Sequence, residues 1–220
     1  MPDEYYYEGT TCLVNNLGIT DQEELDQAEI DIVTARLLEI DDLFYSKQLT
    51  ITKETFKSIH KHLFRDLYPF AGEFRTKSIF KQEDILDGAS VSYSPWEDID
   101  SGLDEIFKTI GLNAKKKLNP EEFSDWLAHV FSQLWKIHPF REGNTRTLTI
   151  LMVMLSKEKG YKLNTKSFLD NCDNLRNSLV LASFGGNYDR NLKEIITNSL
   201  LNQSIKKECP KVDGMVNHAK

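Results

Sequence analysis

Apolar residues recur at three- and four-residue steps in several stretches of this chain, and each stretch predicts a helix with one buried face. Leu25, Ala28, Ile32, Ala35 and Leu38, with Leu43 beyond them, form the inner face of a first helix that Asp21 caps and that runs to about residue 44. A second helix over 52–64 turns Phe56, Ile59 and Leu63 inward. Its His60 and His62 stand two residues apart, on different faces, and so read as structural, not as a metal pair. Pro95 opens a third helix bearing Trp96, Ile99, Leu103, Ile106, Phe107 and Ile110, and Gly111 closes it. Asn119-Pro120-Glu121-Glu122 joins a cap, a first-position proline and first-turn acids. It launches a helix whose buried stripe is Phe123, Trp126, Leu127, Val130, Phe131, Leu134 and His138. From Leu148 to Leu155 the next helix has almost no polar face, which places it at the centre of a globule, and Lys159-Gly160 ends it. Two more helices are expected over about 165–182 and 188–206, with a turn at 184–188 between them. Residues 74–95 lose the helical period; Val91, Ser92, Tyr93 and Ser94 favour extended chain and Asp87-Gly88 a turn.

Composition narrows the class. With 220 residues, 40% hydrophobic and 10% aromatic, the chain can bury a full core, which points to one all-α domain over 1–205 and a polar tail over 206–220. A net charge of −7, with only the short run Lys115-Lys116-Lys117, argues against nucleic acid as a partner. Cys12, Cys172 and Cys209 are odd in number and too scattered for a zinc motif, which fits a reducing, cytoplasmic setting. The first residues are acidic and tyrosine-rich where a secretory signal would be basic and apolar. The longest apolar run, 148–155 with one threonine, is far short of a membrane span.

Chemistry gathers in residues 138–146, His-Pro-Phe-Arg-Glu-Gly-Asn-Thr-Arg, which join the two most buried helices. Pro139 disfavours helical geometry at His138 and stops the helix before it. Gly143 permits positive φ, and Asn144 or Thr145 can cap the next helix, whose amide donors then form an anion site. Arg146 in the first turn opposes the helix dipole, which is easier to understand beside a bound phosphate. Glu142 would repel that phosphate unless a divalent ion bridged them, a preference of Mg²⁺. His138 can then take a proton from an attacking hydroxyl. Singly, a core histidine, a Gly-Asn helix break and a solvated ion pair are ordinary structural features. Within nine residues they would require several coincidences.

The stretch resembles the Fic-family signature His-Pro-Phe-x-Asp/Glu-Gly-Asn-Gly-Arg-x-x-Arg. Residues 56–76 are similar to the helix and turn that precede the family's active site, and Tyr7-Glu8-Gly9-Thr10 with Asn15, Gly18 and Ile19 to the entry segment of its single-domain bacterial members. The resemblance implies an all-α Fic fold with a small β-hairpin flap over the active site, and transfer of AMP from ATP to a protein hydroxyl. It implies His138 as general base and Glu142 as Mg²⁺ ligand. Phe140, Gly143, Asn144, Thr145 and Arg146 would contact the nucleotide, with Asn187 and Tyr188 at its base. Across the flap at about 74–95, Ile79, Phe80, Lys81, Ser92 and Tyr93 would dock the target protein as an added strand. A small antitoxin protein is a further partner of such domains. Thr145 replaces the signature's third glycine and Thr149 its second arginine. The latter change opens two alternatives: another donor or a phosphate transfer, as in Doc-like relatives, and a degenerate module that binds nucleotide or a partner without turnover. Glu4-x-x-x-Glu8-Gly9 matches the family's inhibitory motif only in part, and an ordinary entry turn is the preferred reading.

Overall fold

The computed structural model describes residues 4–46, 50–114, 116–164, 172–184 and 189–200. Seven α-helices are described there: α1 Gln22–Leu37, α2 Lys53–Phe64, α3 Ile99–Asn113, α4 Pro120–Ile137, α5 Asn144–Glu158, α6 Cys172–Ala182 and α7 Arg190–Ser199. Among the described residues there is no β-strand, only two isolated bridges, Tyr6–Leu13 and Leu163–Leu200.

Side-chain caps set three of the seven helix starts. Asp21 accepts from the Glu24 amide at 3.0 Å, and Thr52 and Thr55 cap each other's backbone at the head of α2. Asn119 accepts from the Glu121 and Glu122 amides, both at 3.0 Å, while Glu122 returns to the Asn119 amide at 2.9 Å. Two ends differ from expectation. α1 stops at Leu37, and the chain goes on through a π-helical turn, Asp41–Tyr45, that Ser46 closes onto Asp41. α3 runs past Gly111 to Asn113, since a lone glycine weakens a helix by about 1 kcal/mol without ending it.

The inner face of α1 is also rotated from the expected one. Leu25, Val33 and Ile40 are buried, Glu29, Ile32 and Arg36 are half-buried, and Leu38 is 82% exposed. The rotation carries a carboxylate, Glu29, into the interior.

α5 packs against α2, α4 and the π-helical turn, with Leu148, Leu151 and Met152 wholly buried. One hydrophobic cluster runs from Cys12 to Ile196 and includes Trp135, Phe131 and Phe140. Residues 74–95 do not form the expected hairpin ladder. They fold as a loop with one 3₁₀ turn, Asp84–Leu86, reversed through left-handed Asp87 and Gly88. Glu83 exchanges backbone bonds with Gly88 and Ala89, each at 3.1 Å. Buried side chains hold the loop in place of a ladder: Glu83, 3% exposed, accepts two bonds from Arg176 of α6 at 3.0 and 3.1 Å.

Candidate active site

The loop 138–146 is built from its ends inward. His138 terminates α4 in the left-handed region, φ 50°, a strained conformation for a side-chain-bearing residue. Phe140 is fully buried and stacks on His60 at 3.9 Å between centroids, so it plugs the loop into the core. Asn144 does not cap α5 as expected. Its side chain clamps the loop instead, accepting from the Phe140 amide at 3.0 Å and donating to the Phe140 carbonyl at 2.8 Å. Gly143 takes the cap position at φ 77°, where an added Cβ would lie 2.3 Å from the Phe64 ring. No side chain caps α5, which leaves its first-turn amides and the positive end of its dipole open to an anion.

His60 and Arg75 brace this loop from beneath. Nδ1 of His60 accepts from the Gly72 amide at 2.8 Å, so Nε2 carries the proton and donates to the Glu142 carbonyl at 2.9 Å. Burial holds the His60 pKa down at about 4. Arg75, 2% exposed, donates to the carbonyls of His138 at 2.8 Å, Lys77 at 2.7 Å, Ser94 at 2.5 Å and Ile137 at 3.2 Å. One guanidinium therefore ties the end of α4 to both roots of the flap.

The electrostatics separate the two titratable groups of the loop. His138 is 3% exposed, and burial first, then the nearby Lys81 cation, hold its pKa well below the ordinary value. Its Nδ1 lies 3.3 Å from the Trp135 carbonyl. A proton there leaves Nε2, which is buried without a hydrogen-bond partner, as a free acceptor. Burial alone would raise Glu142, but Lys81, the Gly143 amide and Arg146 outweigh it and bring the carboxyl down to about 2. With its side chain still 31% exposed, Glu142 accepts from Lys81 Nζ at 3.0 Å and from the Gly143 amide at 3.0 Å. Arg146 pairs with Glu29 at 2.5 Å and lies 3.8 Å from Glu142. Glu29 also receives the Tyr68 hydroxyl. The Tyr93 ring lies across His138 at 4.3 Å.

Residues 50–156 match the family model described as the Fic/DOC family. This chain belongs to the Fic/DOC family. It is 30% identical over 163 residues to "Protein adenylyltransferase VbhT" of Bartonella schoenbuchensis, a match that takes in 74% of this chain and 32% of that protein. It thus spans about a third of VbhT. It is 29% identical over 180 residues to "Probable protein adenylyltransferase y4lH" of Sinorhizobium fredii, covering 77% of this chain and 86% of that one. The BepC protein of Bartonella tribocorum, solved with bound AMPPNP, superposes with a TM-score of 0.74 at 23% identity, over 90% of this chain and 96% of that one.

Against the Fic signature, the structure brings His138, Glu142, Gly143 and Arg146 to one loop mouth. The Phe140 side chain lies in the core, with no face toward a ligand. Thr145 meets the Trp135 indole N–H at 3.4 Å, and Thr149 donates to the Thr145 carbonyl at 2.9 Å. Asn187 and Tyr188 lie outside the described residues. The flap candidates divide: Phe80 and Ser92 face outward, Ile79 is half-buried, and Lys81 and Tyr93 turn in toward Glu142 and His138. Glu29, Glu83 and Arg176 had no periodic or motif signal, and Arg75 only its place in the stretch 56–76, because their partners come from distant segments. Beyond Arg146 a cavity of about 480 Å³ continues along α5, walled by Leu37, Ile40, Ile150 and Val153.

Proposed function

We propose that this chain is a Mg²⁺-dependent protein adenylyltransferase that moves AMP from ATP to a hydroxyl side chain of a target protein and releases pyrophosphate. The observation that carries the reading is the neutral, unpartnered Nε2 of His138, on the same loop as an ionised carboxylate and the uncapped start of α5. His138 accepts the proton of the target hydroxyl as its oxygen bonds to the α-phosphorus, and the bond to the pyrophosphate oxygen breaks. The open amides of 144–146 receive the α-phosphate charge, and Arg146 the outer phosphates.

Glu142 would hold Mg²⁺. Among the described residues no group of three or more His, Cys, Asp or Glu could bind a metal alone. One ionised, part-exposed carboxylate instead fits an ion shared with phosphate oxygens. When bound, Mg²⁺ supplies charge neutralisation at the phosphates. The target approaches along residues 74–95, where Phe80, 72% exposed, and Ser92 offer the outward surface. Tyr93 must move aside for a hydroxyl to reach His138. No described helix is long and apolar enough to cross a membrane, and we take residues 1–205 as one domain of a cytoplasmic enzyme. A small antitoxin protein is a regulator compatible with this fold.

Incubation with Mg²⁺ and ATP labelled on either the α- or the γ-phosphate, with target-bearing lysate, tests the reading. Protein-bound α-label that falls by about 10²–10⁴-fold in His138→Ala is expected. Protein-bound γ-label would replace this assignment with phosphate transfer. Absence of both labels would replace it with a binding role.

A further inference from the structure

We propose that Lys81 is a donor-binding residue, a cation delivered from the flap to the outer phosphates of the nucleotide. The inference rests on the reading above and adds to it a group outside the signature loop. A departing pyrophosphate gathers negative charge and needs positive groups beside it. α5 offers few. Arg146 is already paired with the half-buried Glu29 at 2.5 Å. One turn on, Thr149 is uncharged, and its hydroxyl is spent on the Thr145 carbonyl.

Lys81 fills that deficit from the opposite wall. Its side chain is only 19% exposed and folds inward, placing Nζ 3.0 Å from Glu142 Oε2. Its root is held: the Lys81 amide donates to Ser90 Oγ at 3.2 Å, and two residues on, Glu83 is anchored by Arg176. The neighbouring Phe80 points the other way, into solvent, as does Ser92. The flap thus presents apolar and hydroxyl groups outward and an ammonium inward, and target docking does not account for the inward one.

The partner of Lys81 decides what happens when donor arrives. Glu142 Oε1 accepts from the Gly143 amide, and Oε2 is the oxygen that Lys81 covers. With Glu142 turned over to a divalent cation, Lys81 would lose its counter-charge, and its ammonium would be free to turn to phosphate oxygens at the same mouth. A lysine suits such an exchange, being a compact charge on a flexible four-carbon stem and a phosphate binder in its own right. Here Lys81 neutralises Glu142; with donor bound it would neutralise the leaving group.

Isothermal titration of ATP and AMP, in Mg²⁺ and in EDTA, into wild type, Lys81→Met and Lys81→Arg tests this without recourse to turnover. In Mg²⁺, Lys81→Met is expected to weaken ATP about 10- to 100-fold, the range of one charge-assisted contact. AMP, which lacks the outer phosphates, is expected to lose less than about 2-fold, and Lys81→Arg to keep most of the ATP affinity. The ATP deficit is expected to shrink in EDTA, where Lys81 stays on Glu142. Equal losses for ATP and AMP, an unchanged ATP affinity, or the same deficit without metal would overturn the inference while leaving the proposed activity intact. A wild type that binds no ATP in Mg²⁺ would overturn both.

Discussion

Replacing Arg75 by methionine isolates what a buried guanidinium does for this site. Methionine keeps an unbranched apolar stem in a space that is 2% exposed, but leaves the carbonyls of Lys77, Ser94, Ile137 and His138 without their donor. Two of the four belong to the end of α4, where carbonyls already lack helical partners and carry the negative end of the dipole. An orphaned buried acceptor costs about 1–3 kcal/mol, and four taken naively would exceed the stability of many domains. Two effects reduce the sum. Water can reach the flap-side carbonyls once the fork is gone, and removing the guanidinium recovers the cost of burying it, which is what holds the Arg75 pKa below its ordinary value. The net expectation is a loss of about 3 kcal/mol. With a urea dependence of about 2.5 kcal/mol per molar, the unfolding midpoint, followed by tryptophan fluorescence, falls by about 1.2 M. Arg75→Lys is expected to recover less than half of this, because an ammonium cannot reproduce a planar fork aimed at carbonyls from three segments. A midpoint for Arg75→Met within about 0.3 M of wild type, about a quarter of the shift expected from the same dependence, would refute the claim that this fork holds flap and helix together.

Gly143→Ala forces a methyl to within 2.3 Å of the buried Phe64 ring at a positive φ, and is expected to cost about 2–4 kcal/mol by calorimetry. In a double-mutant cycle, Phe64→Leu is expected to recover the steric share but not the backbone share. His60, neutral and buried with a pKa of about 4, is protonated more readily in the unfolded chain. Its lowered folded pKa makes stability fall as pH drops from about 6.5 to about 4, by about 3 kcal/mol, and level off below, which urea titrations across that range will show. Asn119→Ala removes the side-chain half of the capping box at the start of α4, the acceptor for the Glu121 and Glu122 amides, and keeps the backbone amide that Glu122 caps. It is expected to cost about 1 kcal/mol in unfolding free energy while leaving nucleotide affinity within error.

What could be read from the chain follows how far apart the interacting groups lie. The starts of α2 and α4 were legible because Thr52 with Thr55, and Asn119 with Glu122, interact within one turn. The candidate loop at 138–146 was legible for the same reason, since its chemistry is contiguous. Asn144 shows the limit: a residue suited to capping was diverted to clamp Phe140, a choice fixed by the depth at which the phenyl ring is seated. Glu29 was missed because α1 is turned slightly from its ideal phase, enough to bring a carboxylate in beside half-buried Ala28 and to leave Ala35 exposed. Extended chain was expected at Val91, Ser92 and Tyr93 from residue preference. The loop formed there instead answers to Glu83, whose partner Arg176 lies in another helix.

That last pairing orders events during synthesis. On a ribosome the chain emerges from its N-terminus, so residues 138–146 and their braces, His60 and Arg75, are all available before Arg176 has been added. Until the residues of α6 are added, Glu83, a carboxylate that is buried in the finished fold, has no Arg176 to pair with. The tie between residues 74–95 and α6 therefore comes late in the chain's order, after every residue of the 138–146 loop is in place.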